Sequence, residues 1–377
     1  MSEVEELLRQ DPKTIMRSII QRIATGPDMS KDISQQEARA GMRAVLDNAV
    51  DPVQAAVFLI ALRMKRETDQ ENLGILDAIR DISISVTAPV DEVLDLSDPY
   101  NGYNRSLPAA PFVPAVLAAC GIHTVSHGVE TMSPKFGITH RRVLRAAGAQ
   151  VDLSVEQAAA RLGDSAIGWS YVDQDAYCPQ LHDLSTLRTS IIKRQAITTV
   201  EVLTGPIRGR KKTHFMSGYV HKPYTRVYTM LARHSGFDTA LLVRGIEGGI
   251  IPSLRQKGKM VYYHDGGPEQ EQEFDPAEID IHQPVRATPL PDDLPPRPGG
   301  DDVGADFDVD HAAQLAAEAG LEALAGKPGS TYDALVYSGA IVLWHLKQTD
   351  HIADAARRIR EVLNNGSALE RFNNAAV

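Results

Sequence analysis

Six short stretches of this sequence carry residue types that can hold an anion or move a proton. His127-Gly128 closes an apolar run and places an imidazole, which changes charge near neutral pH, at what reads as a strand end. Ser133, Lys135 and Gly137 follow as a short polar loop in which a hydroxyl and a lysine point charge can meet a phosphate. Upstream, Asn101-Gly102 permits positive φ and exposes amides, and Arg105 adds charge. Arg188 and Arg194 lie six residues apart at the start of a strongly basic stretch. Glu247, ahead of Gly248, is one of three acidic residues in the strongly basic stretch from Arg188 to Met260. Arg208, Arg210, Lys211 and Lys212 form the densest basic cluster, in a loop after Gly205-Pro206. Such a cluster can neutralise backbone phosphates of DNA or RNA with salt-sensitive, sequence-independent affinity. Each stretch also has a plainer explanation: a buried histidine bonded to backbone, an ordinary turn, an Asn-Gly turn, a solvated basic face. Residue type and spacing leave both explanations open.

The elements that must position these residues are of two kinds. Residues 13 to 82 read as helices. Ile15, Ile19, Ile20 and Ile23 recur at helical spacing, and Ser34 with Glu37 signals a start before Ala38 to Asp47. Asp51-Pro52 supplies a cap and a first-turn proline before VQAAVFLIALRMK, and QENLGILDAIRDI continues the pattern. Beyond Pro89, the apolar runs EVLDLS, HTVSHG, TALLVRG and KMVYYH alternate with the helical patterns FVPAVLAACG, HRRVLRAAG, SVEQAAARLG and YTRVYTMLARHSG. That alternation predicts an α/β domain: a mostly parallel sheet flanked by helices, with ligands at the C-terminal ends of the strands. The expected division is a helical domain over 1–88 and a larger α/β phosphate-binding domain over 89–377. Within the latter, 265–310 is rich in Asp, Glu, Pro and Gly and reads as a long exposed excursion.

Charge is distributed unevenly. The 377 residues carry a net charge of -10, yet the stretch from Asp265 to Asp310 holds 14 acidic and 2 basic residues, so the remainder sums to +2. From Arg188 to Met260 there are 14 basic and 3 acidic residues, a local +11, as phosphate binding would leave. Cys120 and Cys178 stand far apart outside any metal-ligand spacing, which argues against a disulfide framework or structural zinc. No stretch approaches a membrane span and the first residues lack the apolar run of a signal peptide, so the expected location is the cytoplasm.

Four segments carry a resemblance. DPVQAAVFLIALRMKRETDQENLGILDAI, AACGIHTVSHGVETMSPKFG, YCPQLHDLSTLRTSIIKR and YDALVYSGAIVLWHL resemble, in order, signatures of the anthranilate phosphoribosyltransferase and pyrimidine nucleoside phosphorylase superfamily. The resemblance implies a glycosyltransferase acting on a phosphorylated small molecule such as phosphoribosyl pyrophosphate or a nucleotide. It implies His127 and Arg188 as catalytic or acceptor-contacting residues, and Asn101, Gly102, Arg105, Ser133, Lys135 and Arg194 as phosphate-binding. It also implies a homodimer through the N-terminal helices, which the apolar VQAAVFLIAL permits. Departures accompany it. Ser126 and Val129 replace a lysine and an asparagine around His127-Gly128, Ser97 to Gly102 replaces a glycine-rich pyrophosphate loop, and Glu247-Gly248 keeps one carboxylate of a magnesium-holding pair. SDPYNGYNR, SHGVE, HKPYTRV and RGIEGGIIPSLR look closer to a divergent branch whose studied members lack the transferase activity and bind nucleic acids. The expectation is therefore altered glycosyl transfer with magnesium binding weakened, the alternative being a non-catalytic nucleic-acid binder that uses the basic 188–260 region.

Overall fold

Asp51 begins a helix as its spacing predicts. Its carboxylate accepts the Val53 N–H at 2.8 Å, Pro52 occupies the first turn, and the helix runs Pro52–Lys65. Reciprocal caps open two neighbours, Ser34 with Glu37 at Gln35–Leu46 and Thr68 with Glu71 at Asp69–Arg80. These two helices cross so closely that a Cβ on Gly74 would meet the Gln35 carbonyl at 2.2 Å. With Pro12–Ile23 they enclose Met16, Ile19, Phe58, Leu59, Leu62 and Ile79, all buried. Truncating a side chain such as Phe58 to alanine in this setting costs about 3–5 kcal/mol.

The computed structural model describes residues 3–26, 28–299 and 304–376. A two-residue strand β1 (Val86–Thr87) leaves the bundle and pairs in parallel with β5 (Ile207–Arg208). The main sheet has seven strands in the order β4-β3-β2-β6-β7-β8-β9: Trp169–Asp173, Thr124–Gly128, Glu92–Ser97, Lys212–Gly218, Thr239–Val243, Gly258–His264 and Gln270–Phe274. The first five are parallel, whereas β8 and β9 run antiparallel. One face packs against Val113–Ala119 and the C-terminal helices Val309–Leu324, Ser330–His345, Ile352–Asn364 and Ser367–Ala375. The other packs against Val155–Gly163, Pro223–His234 and the N-terminal bundle. The architecture is thus a helical N-terminal domain joined to a larger α/β domain with a mostly parallel, helix-flanked sheet. Among the described residues no helix is long and apolar enough to cross a membrane.

All four apolar runs singled out in the sequence are strands, β2, β3, β7 and β8. Of the parallel strands in the main sheet, β4 and β6 were hidden, and β6 begins at Lys212, inside the cluster read as a loop. The 265–310 segment needs correction as well. It starts with β9, buries Ile279 and Ile281, and packs Leu290 and Leu294 against the core, so apolar anchors hold down much of the acidic stretch. Residues 300–303 of it lie outside the described residues. The helical layer is also not one stretch of chain, for Ser185–Ile191 packs on Pro52–Lys65 and Ile197–Val200 on Asp69–Arg80.

A cleft between the helical layer and the strand ends

The C-terminal ends of β2, β3, β6 and β7 face the helical layer across a cleft of about 330 Å³. The loop after β2 contributes Asp98 to Asn101, the loop after β3 Met132 and Ser133, the loop after β6 Tyr219 to His221, the helix that follows Tyr224 and Tyr228, and the turn after β7 Glu247 and Gly248. The helical layer contributes Arg63, Arg194, Thr198, Thr199 and Glu201. Ile192, at φ 66°, ends the helix Ser185–Ile191 in a left-handed turn that projects the exposed Arg194 over the cleft. Among the described residues Arg194 makes no hydrogen bond and no ion pair. Asn101 Oδ1 and Thr198 Oγ1 are buried on the cleft wall without a hydrogen-bond partner. Native interiors rarely leave such atoms unmet. Three tyrosines, 219, 224 and 228, add ring surface, and burial pushes the Tyr228 hydroxyl up to about 12. The helix Pro223–His234 starts here without a side-chain cap, so its positive end favours an anion. Arg63 holds the wall together, donating to Tyr224 Oη at 2.9 Å, Thr199 Oγ1 at 2.9 Å and the Gln195 carbonyl at 3.1 Å.

Two expected site residues lie beneath this surface. His127 is buried in a polar network: Asp95 Oδ1 and Ser97 Oγ flank Nε2 at 2.9 and 2.8 Å, and the Tyr100 hydroxyl meets Nδ1. With Asp95 accepting from Nε2–H, Nδ1 is left to accept from Tyr100. His127 therefore orients Tyr100, which does line the cleft, and does not itself reach a ligand there. Arg188 is fully buried, donating from Nη1 and Nη2 to the two Glu201 oxygens at 2.7 Å each and from Nε to Gln195 Oε1 at 3.2 Å. Its charge is spent on Glu201, and Glu201 is the member of the pair on the cleft wall.

The remaining expected anion residues are drawn together and mutually satisfied. A Cβ on Gly102, at φ +73°, would meet the Gly137 carbonyl carbon at 2.6 Å, so the loops after β2 and β3 touch backbone to backbone. Four amides of the first loop are engaged: Gly102 N–H donates to Pro99 O, Tyr103 to Ile138 O, and Asn104 and Arg105 to Glu247 Oε2 and Oε1 at 3.0 and 2.9 Å. Ser106 Oγ and Lys135 Nζ complete the shell around Glu247 at 3.1 and 3.2 Å. The Glu247 carboxylate thus sits in the nest of donors that would otherwise receive an external anion. Burial lowers the Lys135 pKa, with the Glu247 charge acting in the opposite sense. Ser133 lines the cleft, but its hydroxyl donates to the Arg188 carbonyl at 3.0 Å. A magnesium ion would need lone pairs from Glu247 or Asp98. Glu247 is occupied as described, and Asp98 accepts from Tyr103 Oη at 2.6 Å and the Ile250 N–H at 3.0 Å, with His140 Nε2 at 3.0 Å. The residues present do not fit that ion in this arrangement.

The basic cluster is not an open pole. Arg208 turns inward over the Phe237 ring at 4.2 Å and donates to the Gly205 and Ser235 carbonyls, burial lowering its pKa to about 10. Arg210 donates to Pro89 O at 2.6 Å, while Lys211 and Lys212 pair with Asp91 and Asp265 at 2.7 and 2.8 Å.

Residues 17–83 match a family described as glycosyl transferase family, helical bundle domain. The chain superposes on the anthranilate phosphoribosyltransferase of Thermus thermophilus with a TM-score of 0.69 at 18 % identity, covering 96 % of this chain and 98 % of that one. The fold is that of the anthranilate phosphoribosyltransferases. The enzyme of that name from Saccharomyces cerevisiae, in complex with PRPP and Mg, superposes at a TM-score of 0.73 with 14 % identity, covering 96 % and 97 %. By sequence, an uncharacterized protein of Aquifex aeolicus is 29 % identical over 238 residues, 63 % of this chain and 71 % of its own length. The anthranilate phosphoribosyltransferase of Bradyrhizobium diazoefficiens is 25 % identical over 233 residues, 62 % of this chain and 66 % of its own, just under two thirds of that relative. Arg63, Thr198, Tyr219, Tyr224 and Tyr228 of this cleft were not singled out in the sequence. The signal for two of the tyrosines was the i,i+4 spacing of Tyr224 and Tyr228 in YTRVY, which puts both on one helical face.

Proposed function

We propose that this chain is an anthranilate phosphoribosyltransferase-like protein whose cleft binds a phosphorylated, ring-bearing small molecule without a metal, and whose glycosyl transfer is altered or lost. The observation that carries the reading is the convergence of an unpaired guanidinium, Arg194, with two unpartnered polar atoms, Asn101 Oδ1 and Thr198 Oγ1, beside three tyrosine rings. A phosphate on Arg194 and a ring against the tyrosines meet those groups together. Phosphoribosyl transfer needs charge stabilisation on a departing pyrophosphate. Four amides of the loop that would provide it, Gly102 to Arg105, are spent on Pro99, Ile138 and Glu247, and the carboxylates that would hold magnesium accept from N–H and O–H donors. Ordinary anthranilate turnover is therefore not expected. The nucleic-acid reading through Arg208 to Lys212 loses its support to the pairing of that cluster.

The test is calorimetric titration of phosphoribosyl pyrophosphate into the full chain, in chelator and in magnesium. The reading expects binding in both buffers, weakened roughly tenfold in Arg194→Gln, as the loss of one partly exposed charge-assisted contact worth about 1.5 kcal/mol implies. Binding that requires magnesium, or that ignores Arg194→Gln, would overturn it.

A further inference from the structure

On the far side of Glu247 and Val220, which line both cavities, a second groove of about 660 Å³ runs between the turn after β7, the segment leading into β8 and residues 284–289. Arg105, Arg244, Arg255, Lys257 and Arg286 line it, all exposed. Three belong to the basic 188–260 stretch, whereas Arg105 comes from the loop after β2 and Arg286 from the acidic segment. The fold therefore gathers cations that the sequence scatters. Among the described residues none of the five forms an ion pair with a carboxylate, and Lys257 alone feels one at longer range, Glu273. Arg255 Nη1 donates to the Pro284 carbonyl at 3.4 Å, which steadies the guanidinium and leaves its charge uncompensated. The only acidic lining residue is Glu247, whose oxygens are already held by two amides, Ser106 and Lys135.

We infer that this groove is a binding site for a linear oligophosphate, an anion with three or more phosphate groups in succession. Five like charges around one concavity repel one another and concentrate counter-anions. A single phosphate would leave most of them uncompensated. The lining contains no aromatic residue, so a nucleobase has nothing to stack on, in contrast with the tyrosine-lined cleft. What remains to be recognised is charge and phosphate oxygen, which guanidinium groups grip in bidentate fashion. A P–O–P chain packs its charge more densely than a phosphodiester strand and so compensates five cations within one groove.

The test uses the full chain and inorganic tripolyphosphate as the probe, followed by calorimetry at two salt concentrations. The triple variant Arg244→Gln/Arg255→Gln/Lys257→Gln should bind tripolyphosphate roughly ten- to a hundredfold more weakly, as the loss of three exposed ion pairs implies. Affinity of the unmutated chain should fall as salt rises. Arg286→Gln, on the opposite wall, should weaken binding by several-fold and serves as the reporter if the triple variant misfolds. Phosphoribosyl pyrophosphate binding in the separate cleft should survive the triple variant, so failure here is distinguishable from failure of the cleft reading. Tripolyphosphate binding that is absent, or untouched by both groove variants, would overturn the inference. So would a single-stranded oligonucleotide of matched charge that outcompetes tripolyphosphate and loses its affinity in the same variants.

Discussion

Arg188→Leu should act on stability before it acts on ligand binding. Arg188 is fully buried, and its three side-chain nitrogens donate to Glu201 and Gln195. Removing the guanidinium leaves the Glu201 carboxylate, itself 1 % exposed, with one remaining side-chain donor, Gln174 Nε2 at 3.3 Å. Breaking one side of a buried ion pair costs about 3–5 kcal/mol, because the surviving charge stays desolvated. Such a cost is a large share of the ~5–15 kcal/mol that separates a typical folded chain from its unfolded state. For a chain of 377 residues unfolding as one unit, an entropy of about 2.1 cal/mol/K per residue converts the loss into a melting shift of roughly 4–6 °C. Scanning calorimetry and urea unfolding measure it. The double variant Arg188→Leu/Glu201→Leu should recover most of the loss, since two apolar side chains can replace a buried pair at little net cost. A single variant that melts within about one degree of the parent while losing phosphate-ligand binding would refute the argument and return Arg188 to the ligand.

Other perturbations follow from the same geometry. Lys135→Ala should destabilise the chain by about 1–3 kcal/mol, since it strips the cation from Glu247, and Lys135→Ala/Glu247→Ala should be milder than the sum; urea midpoints decide this. His345 is buried beside His264 and His214, and burial, followed by those neighbouring histidines, drives its pKa well below the usual histidine range; His214 is lowered by burial too. Below about pH 6.5 the unfolded state binds the protons that the folded state refuses, so stability should fall with acidification by up to ~1.4 kcal/mol per pH unit per histidine. His345→Gln should flatten that slope, and an unchanged slope would count against the assignment. Val53 and Met64 are 70 % and 74 % exposed and share a face of Pro52–Lys65 with Val57 and Ile60. If that stripe forms a homodimer, Met64→Asp should shift sedimentation toward the monomer, and a parent chain that is already monomeric would refute the dimer.

The fold was largely legible in the sequence because capping residues and apolar periodicity are local signals. Asp51-Pro52, Ser34 with Glu37, and the runs that became β2, β3, β7 and β8 each announce themselves within about ten residues. β6 escaped because its first residue is the last of four in a basic cluster, and a central strand buried on both faces lacks alternation. The site was legible in its neighbourhoods and not in its contacts. Asn101, Ser133, Arg194 and Glu247 do line the cleft. Whether a given cation is free depends on partners distant in sequence, such as Glu201 for Arg188, Glu247 for Lys135 and Asp265 for Lys212. The five groove cations went unnoticed for the same reason, since residues 105, 244, 255, 257 and 286 form no run.

The central claim is that the cleft below Arg194 receives a phosphate group without a metal, and a crystal structure of the full chain grown in chelator with phosphoribosyl pyrophosphate tests it most directly. The account predicts a phosphate oxygen within about 3 Å of the Arg194 guanidinium and a ligand polar group within hydrogen-bond distance of Asn101 or Thr198. Glu247 should still be bonded to the Asn104 and Arg105 amides. A ligand that displaces Glu247 from those amides and seats its pyrophosphate there, with Arg194 left in solvent, would contradict it.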